Sequence, residues 1–419
     1  MEVEEMKEPI ILHCDINHYY AQIEEMRYPH LRDVAMAVGG NEMSRHGIIL
    51  AKNDIAKTYQ IKTGESLREA YQKCPDLVVI PPDFPTYLYY SEKVKDIYRR
   101  YSDRVEEFGI DEAWVDVSES IHLFGSGMEI ARSIQKSVIE EVGLTISIGI
   151  SFNKVFAKLG SDLVKPSGIV MIGKEQYQSI VWPLAIDTLF YVGKATKAKL
   201  HQLQIETIGE LACHDVGDIR GKLGKMGELI WWFANGVNVS EVALSGKQDE
   251  VKSVGNSITT AKNMENLEDA RIVLFVLAES IASRLRQKGL KGKTIAVSYR
   301  TSKLQTFQSQ KKIEQLTDIS EEILETAYEL LKKHYAFQEP LRSIGISVSH
   351  LRNDQGYSQI HLFRDEVKRE KDEKLDIAMQ AIRRKYGFEK IKRCCLEMDR
   401  TLTKFDPESE HVIHPTGYF

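Results

Sequence analysis

Residues 13–20 read HCDINHYY and residues 109–116 read GIDEAWVD. Both stretches set carboxylates at the end of, or inside, an apolar β-prone run, and how those acids are accommodated decides the fold. In a strand alternate residues share a face, so Ile11, His13 and Asp15 lie together while Leu12 and Cys14 point the other way. Asp15 therefore sits where an apolar strand ends. A carboxylate there is costly unless it is paired, hydrogen-bonded or bound to a cation, and Asp111 and Glu112 raise the same difficulty. Acids cannot pair with one another. Oxygen-only donors select hard divalent ions such as Mg²⁺ or Mn²⁺, and two such ions about 3.5–4 Å apart drive in-line phosphoryl transfer. Adjacent strand residues face opposite ways, so Asp111 and Glu112 both reach metal only if the strand bends there, as Gly109 would permit. Surface acids at a hairpin are the alternative for such a dipeptide, and a plain core role is the alternative for the paired Tyr19 and Tyr20.

At 419 residues the chain exceeds one hydrophobic core and calls for about two to four domains. Hydrophobic residues at 42% and charged residues at 28% are ordinary for a soluble globular protein and exclude a disordered chain. The N-terminus, MEVEEMKEPIILHCD, has no basic n-region before an apolar stretch, and no run reaches the length of a membrane span. A cytoplasmic location without membrane attachment is expected. Cys14, Cys74, Cys213, Cys394 and Cys395 are odd in number and lack C-x-x-C spacing, which argues for reduced thiols rather than a zinc ribbon or disulfide framework.

The net charge of −5 argues against a polyanionic partner until it is resolved by region. Residues 1–250 carry 27 Lys+Arg against 37 Asp+Glu, residues 251–350 carry 15 against 11, and the remainder 14 against 13. Within residues 281–312 nine basic residues meet no acidic one, which concentrates positive potential and makes a polyanion the natural partner. A solvated lysine-rich surface is the alternative.

Strand-like and helical runs interleave as a mixed α/β layer up to about residue 175. Residues 176–240 read as short helices with tight glycine turns. From KSVGNSITT (residues 252–260) onward the order is β-α-β-β-α-β, one sheet with helices on one face. The charge-rich C-terminal stretch shows one helical period, KLDIAMQAIRRKYG, ending at Gly387.

CDINHYYAQIEE resembles the first motif of the Y-family translesion DNA polymerases, and GIDEAWVDVS resembles their paired-carboxylate motif. SIGISFNKVFAKLGSDLVKPSGIVMI is similar to the palm segment that follows, and KSVGNSITT to the start of their little finger. The likeness runs from about residue 8 to 350 in the family's order, and within the bacterial members it leans toward the polymerase V catalytic subunit and its Gram-positive relatives more than polymerase IV. It implies an α/β multi-domain right-hand polymerase. The palm would span residues 1–20 and 82–175, small fingers 21–81, and an all-α thumb with a helix-hairpin-helix 176–240. A linker (241–252), a β-α-β-β-α-β little finger (253–352) and a C-terminal tail (353–419) would follow.

Carried over by position, Asp15 and Asp111 would bind both ions, Ile16 would offer its carbonyl, and Glu112 would hold the ion that activates the primer 3′-hydroxyl. Two Mg²⁺ or Mn²⁺ ions and a dNTP follow as cofactor and substrate. Asn17 and Asp116 would support. Tyr20 matches the steric gate that leaves no space for a 2′-hydroxyl, Tyr19 a residue beside the triphosphate, and Lys165 the triphosphate lysine. Lys154 and Lys158 would be structural or DNA-facing. In the fingers AKNDIAK puts Asp54 and Lys57 where many polymerase IV sequences carry a tyrosine and an arginine; Lys57 replaces the charge but not its bidentate geometry. Ile48 and Ile49 would roof the templating base.

Gly193 and Lys194 would open a DNA-contacting hairpin, with Ala195 in place of the second hairpin glycine and Gly224 and Gly227 forming another turn. Lys291, Lys293 and Arg300 would grip duplex backbone without reading sequence. Gln359, Leu362 and Phe363, in QIHLF, resemble the peptide that docks on the sliding clamp, although so short a pattern also arises by chance. Primer-template DNA and the clamp are the implied partners, with a recombinase or other accessory protein of the SOS damage response a further one, and the nucleoid the place of work. Short fingers and no visible exonuclease segment imply low fidelity. The competing function is a catalytically weak DNA- and clamp-binding factor of the same shape; a nucleotidyl cyclase would need no thumb, basic module or clamp peptide.

Overall fold

The structure, a computed structural model, describes residues 8–40, 47–238, 240–247, 250–353, 365–403 and 405. One compact unit takes in the described residues up to Gly39 and from Ile49 to Lys247, and a second takes in Gly40, Gly47, Ile48 and the described residues from Glu250 on. No helix among the described residues is long and apolar enough to cross a membrane.

Eight strands build the first unit: β1 (Ile11–Ile16), β2 (Met36–Gly39), β3 (Ile49–Lys52), β4 (Val78–Ile80), β5 (Val105–Glu107), β6 (Glu112–Asp116), β7 (Ile146–Ser151) and β8 (Ile169–Ile172). Five of them form one sheet in the order β5-β6-β1-β7-β8. β1 lies at its centre, antiparallel to β6 and β7, and is buried along its whole length. That placement explains why Leu12, Cys14 and Ile16 are apolar on one face, and it buries His13 and Asp15 beside Ile11 on the other. Helix Lys154–Leu163 packs on β1, β7 and β8. It comes so close that a Cβ at Gly149 would stand 1.9 Å from the Ala157 carbonyl oxygen, so only glycine fits there. Helix Phe84–Arg99 starts at an Asp83 cap with Pro85 in its first turn, a strong start signal.

A small three-stranded sheet, β3-β2-β4, is covered by helices Asp54–Thr58 and Leu67–Lys73 around a core that includes Ala37, Ile49, Ala56 and Leu67. Residues 177–234 are all-helical, with Leu200, Ile208, Ile219 and Phe233 in one core, as the glycine-punctuated sequence predicts.

The second unit contains β9 (Ser253–Met264), helix Leu267–Gln287, β10 (Leu290–Thr301), β11 (Thr306–Thr317), helix Ser320–His334 and β12 (Leu341–Ser349). This is the expected β-α-β-β-α-β order, paired as β11-β10-β12-β9, with a short β13 (Arg352–Asn353) on β10. Alternation puts Ile295, Val297, Ile344, Ile346 and Val348 against the two helices.

The C-terminal stretch does more than the single period in its sequence suggested. Helix Glu366–Tyr386 extends eight residues further toward the N-terminus than the segment read at 374–387 and packs on both helices of the unit. A buried ion network holds it there. Asp376, 4% exposed, accepts from the Ser320 N–H and hydroxyl at 2.7 Å each and from Arg393 at 2.9 Å, while Glu279 takes Arg383 and Arg393 at 3.0 Å each. Charges with so little water are stable only when every lone pair is met.

Candidate active site

Asp15 and Glu112 stand directly opposite each other in the β1–β6 register. Asp111 lies just outside β6, on a bend where its carbonyl accepts the Ile16 N–H at 3.0 Å. Gly109 provides the turn with φ +86°, a conformation that a side-chain-bearing residue adopts only under strain. The bend required for neighbouring acids to share one region is therefore present.

Burial raises the Asp15 carboxyl from 3.8 to about 7, helped by repulsion from Glu112 and opposed by Lys165, whose Nζ is 2.7 Å from Oδ2. Asp111 rises to about 6, again mainly by burial and then by Glu112. Glu112 behaves oppositely: burial would raise it, but hydrogen bonding and charge from His13 and Lys158 outweigh that and leave it near about 2. Its Oε2 is 3.2 Å from His13 Nε2 and in contact with the Lys158 ammonium. His13 is itself buried, with Nδ1 2.8 Å from Ser161 Oγ, and burial lowers its imidazole to about 4 despite Glu112.

Lys158 is thus part of the site, where the sequence suggested a structural or DNA-facing residue. The available signal was its helical spacing from Lys154, Ser161 and Asp162 on the helix that crosses β1. Lys154 is structural, buried over the Trp114 ring with both Glu106 carboxylate oxygens at 2.7 Å. Asn17 is bound to Thr145, Ser147 and Ser167, a supporting place as expected.

Among the described residues no three His, Cys, Asp or Glu side chains close into a ready metal cage, and Lys158 and Lys165 stand against Glu112 and Asp15. The donor set still fits hard divalent ions. Asp15 and Asp111 retain raised carboxyls beside Glu112, an excess of buried negative charge that a divalent cation relieves and an ammonium only partly offsets.

The turn after β1 passes through His18, in the left-handed region at φ 33°, and enters helix Tyr19–Arg27. Tyr19 is buried and donates its hydroxyl to the Tyr87 carbonyl. Tyr20 lays its ring on Tyr87, centroids 4.5 Å apart and planes 17° apart, with the Phe84 edge at 6.1 Å. Its phenol is pushed up to about 12 by burial and then by the Asp111 charge. His18 is lowered by burial, while Asp54 and Glu25 pull it up and Lys57 and Lys52 push it down. Lys52 is lowered by burial and then by Lys57. Lys52, absent from the sequence reading, therefore shares a cationic corner with Lys57. Asp54 opens helix Asp54–Thr58 behind the Asn53 cap, a favourable end for an acid. Of the two isoleucines expected to roof the templating base, Ile48 is exposed and Ile49 is fully buried in the small-sheet core.

Gly193 caps helix Lys194–His201 in extended backbone, with Lys194 exposed in its first turn. Arg300 is exposed on β10 and Lys293 half-buried. Lys291, expected to grip DNA, has its ammonium 3.2 Å from Glu373 and 3.7 Å from Asp318, carboxylates of its own unit. Gln359, Leu362 and Phe363 lie outside the described residues.

The family model of the impB/mucB/samB family matches residues 14–162, and that of the impB/mucB/samB family C-terminal domain matches residues 251–362. DNA polymerase IV of Acetivibrio thermocellus is 43% identical over 94% of this chain and 99% of its own. DNA polymerase IV of Clostridium acetobutylicum is 35% identical over 92% and 98%, and DNA polymerase IV 2 of Bacillus subtilis 32% over 91% and 93%. All three carry the polymerase IV name, where the motifs had leaned toward the polymerase V catalytic subunit. A solved Y-family DNA polymerase chimera superposes with a TM-score of 0.72 at 22% identity, covering 82% of this chain and 99% of that one, a likeness of fold. With both family models in order and relatives 32–43% identical over more than nine-tenths of each chain, the chain belongs to the impB/mucB/samB family of bacterial Y-family DNA polymerases.

Proposed function

We propose that the protein is a template-directed DNA polymerase of low fidelity that carries out translesion synthesis, joining a dNTP to a primer 3′-hydroxyl. The observation that carries the assignment of its centre is the meeting of Asp15, Asp111 and Glu112 at the end of the central strand, with two lysines against them. Asp15, Asp111 and Glu112, with the Ile16 carbonyl, would hold two Mg²⁺ or Mn²⁺ ions. Bound there, such ions activate the 3′-hydroxyl and neutralise charge on the transferring phosphate.

The chain's own residues do the remaining work. His13 and Lys158 fix the orientation of Glu112. Lys165 keeps an ammonium beside Asp15, where a triphosphate finds a point charge. Tyr19 and Tyr20 bound the nucleotide, with Tyr20 as sugar gate, and Lys57 supports the triphosphate from the fingers. We assign palm to residues 1–20 and 82–175, fingers to 21–81, thumb to 176–240 and little finger to 253–352, with Gly193, Lys194, Lys293 and Arg300 toward the DNA backbone and Gln359, Leu362 and Phe363 toward a sliding clamp. Intact carboxylates and DNA polymerase IV relatives disfavour a catalytically weak accessory factor.

The test is extension of a labelled primer with dNTPs and Mg²⁺ by the wild type and by Asp111→Ala with Glu112→Ala. Extension by the first and none by the second is expected. Equal extension by both would refute the carboxylate assignment, and DNA binding without extension by either would favour the accessory factor.

A further inference from the structure

We propose that Tyr87, held by Glu24, is the positioning residue for sugar selection: it forms the rigid back wall that keeps the Tyr20 ring from yielding to a 2′-hydroxyl. The inference rests on the reading of Tyr20 as the sugar gate and deepens it. A gate excludes an extra hydroxyl only if it cannot recede, since a ring with free space behind it moves aside for a small group.

Behind Tyr20 there is no such space. The Tyr87 ring is stacked on it at 4.5 Å and is completely buried. Phe84 stands edge-on to both rings, at 6.1 Å from each. Tyr87 cannot slide away either, because its hydroxyl donates to Glu24 Oε1 at 2.8 Å, and Glu24 is 1% exposed.

A buried carboxylate is an expensive way to hold a phenol unless orientation matters, and Glu24 is fastened in turn. Arg27 Nη1 reaches Glu24 Oε1 at 3.2 Å and Asp83 Oδ2 at 2.9 Å. Asp83 caps the helix that carries Phe84 and Tyr87. Helix Tyr19–Arg27 and helix Phe84–Arg99 are therefore locked together around the gate. Tyr87 also accepts the Tyr19 hydroxyl on its carbonyl, so one residue fixes both tyrosines, Tyr19 through its backbone and Tyr20 through its ring.

Single-nucleotide insertion by the full chain, with matched dNTP and rNTP, measures the ratio of their kcat/KM values. Tyr20→Ala is expected to admit ribonucleotides. Tyr87→Phe keeps the stacked ring but frees it from Glu24, and losing the hydroxyl's bond to that carboxylate is expected to lower discrimination about fivefold. Tyr87→Ala removes the wall, and discrimination is expected to fall by about tenfold or more, through a lower KM for the ribonucleotide. A purely structural role would instead reduce dNTP and rNTP efficiency together. Unchanged discrimination in both Tyr87 variants, or an equal loss for the two sugars, overturns the inference while Tyr20→Ala still admits ribonucleotides. If Tyr20→Ala does not admit them, the gate assignment itself falls, a separate and earlier failure.

Discussion

Replacing Asp15 by Asn is expected to stabilise the metal-free protein while abolishing synthesis. Asp15 is 4% exposed, and its carboxyl is raised from 3.8 to about 7 by burial and by Glu112, net of the pull of Lys165. An acid whose pKa is higher folded than unfolded binds extra protons in the folded state, so stability falls as pH rises from 3.8 to about 7 and the loss is complete above that. At 1.36 kcal/mol per pKa unit the gap corresponds to about 4 kcal/mol, and relaxation around a buried charge reduces the realisable part to about 2 kcal/mol. The amide removes the charge, and Lys165 keeps Asp162 at 2.8 Å. Calorimetry in a chelator should show the transition of the first unit about 4–8 °C higher for Asp15→Asn at pH 8. The difference should shrink toward pH 4, where the wild-type carboxyl is also neutral. A melting temperature that falls at pH 8, or rises equally at pH 8 and pH 4, would refute the reasoning. Such an exchange of stability for activity is what the proposed cation-binding role of Asp15 predicts.

Lys57→Ala should raise KM for dNTP by about tenfold, the worth of one charge-assisted contact, and an unaltered KM would rule out that contact. Deleting Leu362 and Phe363 should abolish stimulation by the sliding clamp in a primer-extension assay, and equal stimulation would exclude QIHLF as the docking peptide. Asp376→Ala leaves the Ser320 N–H and hydroxyl without their buried acceptor and Arg393 with Glu279 as its remaining buried carboxylate, and destabilisation of the second unit by about 3 kcal/mol is expected in a denaturant titration. A change under 1 kcal/mol would mean that the C-terminal helix does not depend on the Asp376 contacts for its place.

Much of the site was legible because the chemistry is local. Asp15 at the end of an apolar strand and the Asp111–Glu112 pair are each awkward enough in their immediate context to demand a reason, while Lys165 was singled out only through the family resemblance of its KPSG turn. Lys158, Lys52 and Tyr87 gave no such signal. A lysine on an amphipathic helix and a tyrosine in YLYYSEKV are unremarkable until the sheet brings them to Glu112 and Tyr20. Lys291 shows the converse: regional charge counting sees the basic run but not Glu373, which lies 82 residues away and meets it only after the C-terminal helix docks.

The sequence by itself determined the alternation of strands and helices, the order β-α-β-β-α-β, the all-helical middle segment and the oxygen-rich character of the centre. These follow from side-chain periodicity, turn chemistry and the cost of burying charge, all carried within a few residues. Tertiary structure alone decided which lysines neutralise the carboxylates, what backs Tyr20, and that a charge-rich C-terminal stretch is held by buried ions. Those depend on distances between residues far apart in the chain, and a pairing set by sheet order and helix docking has no signature in local composition.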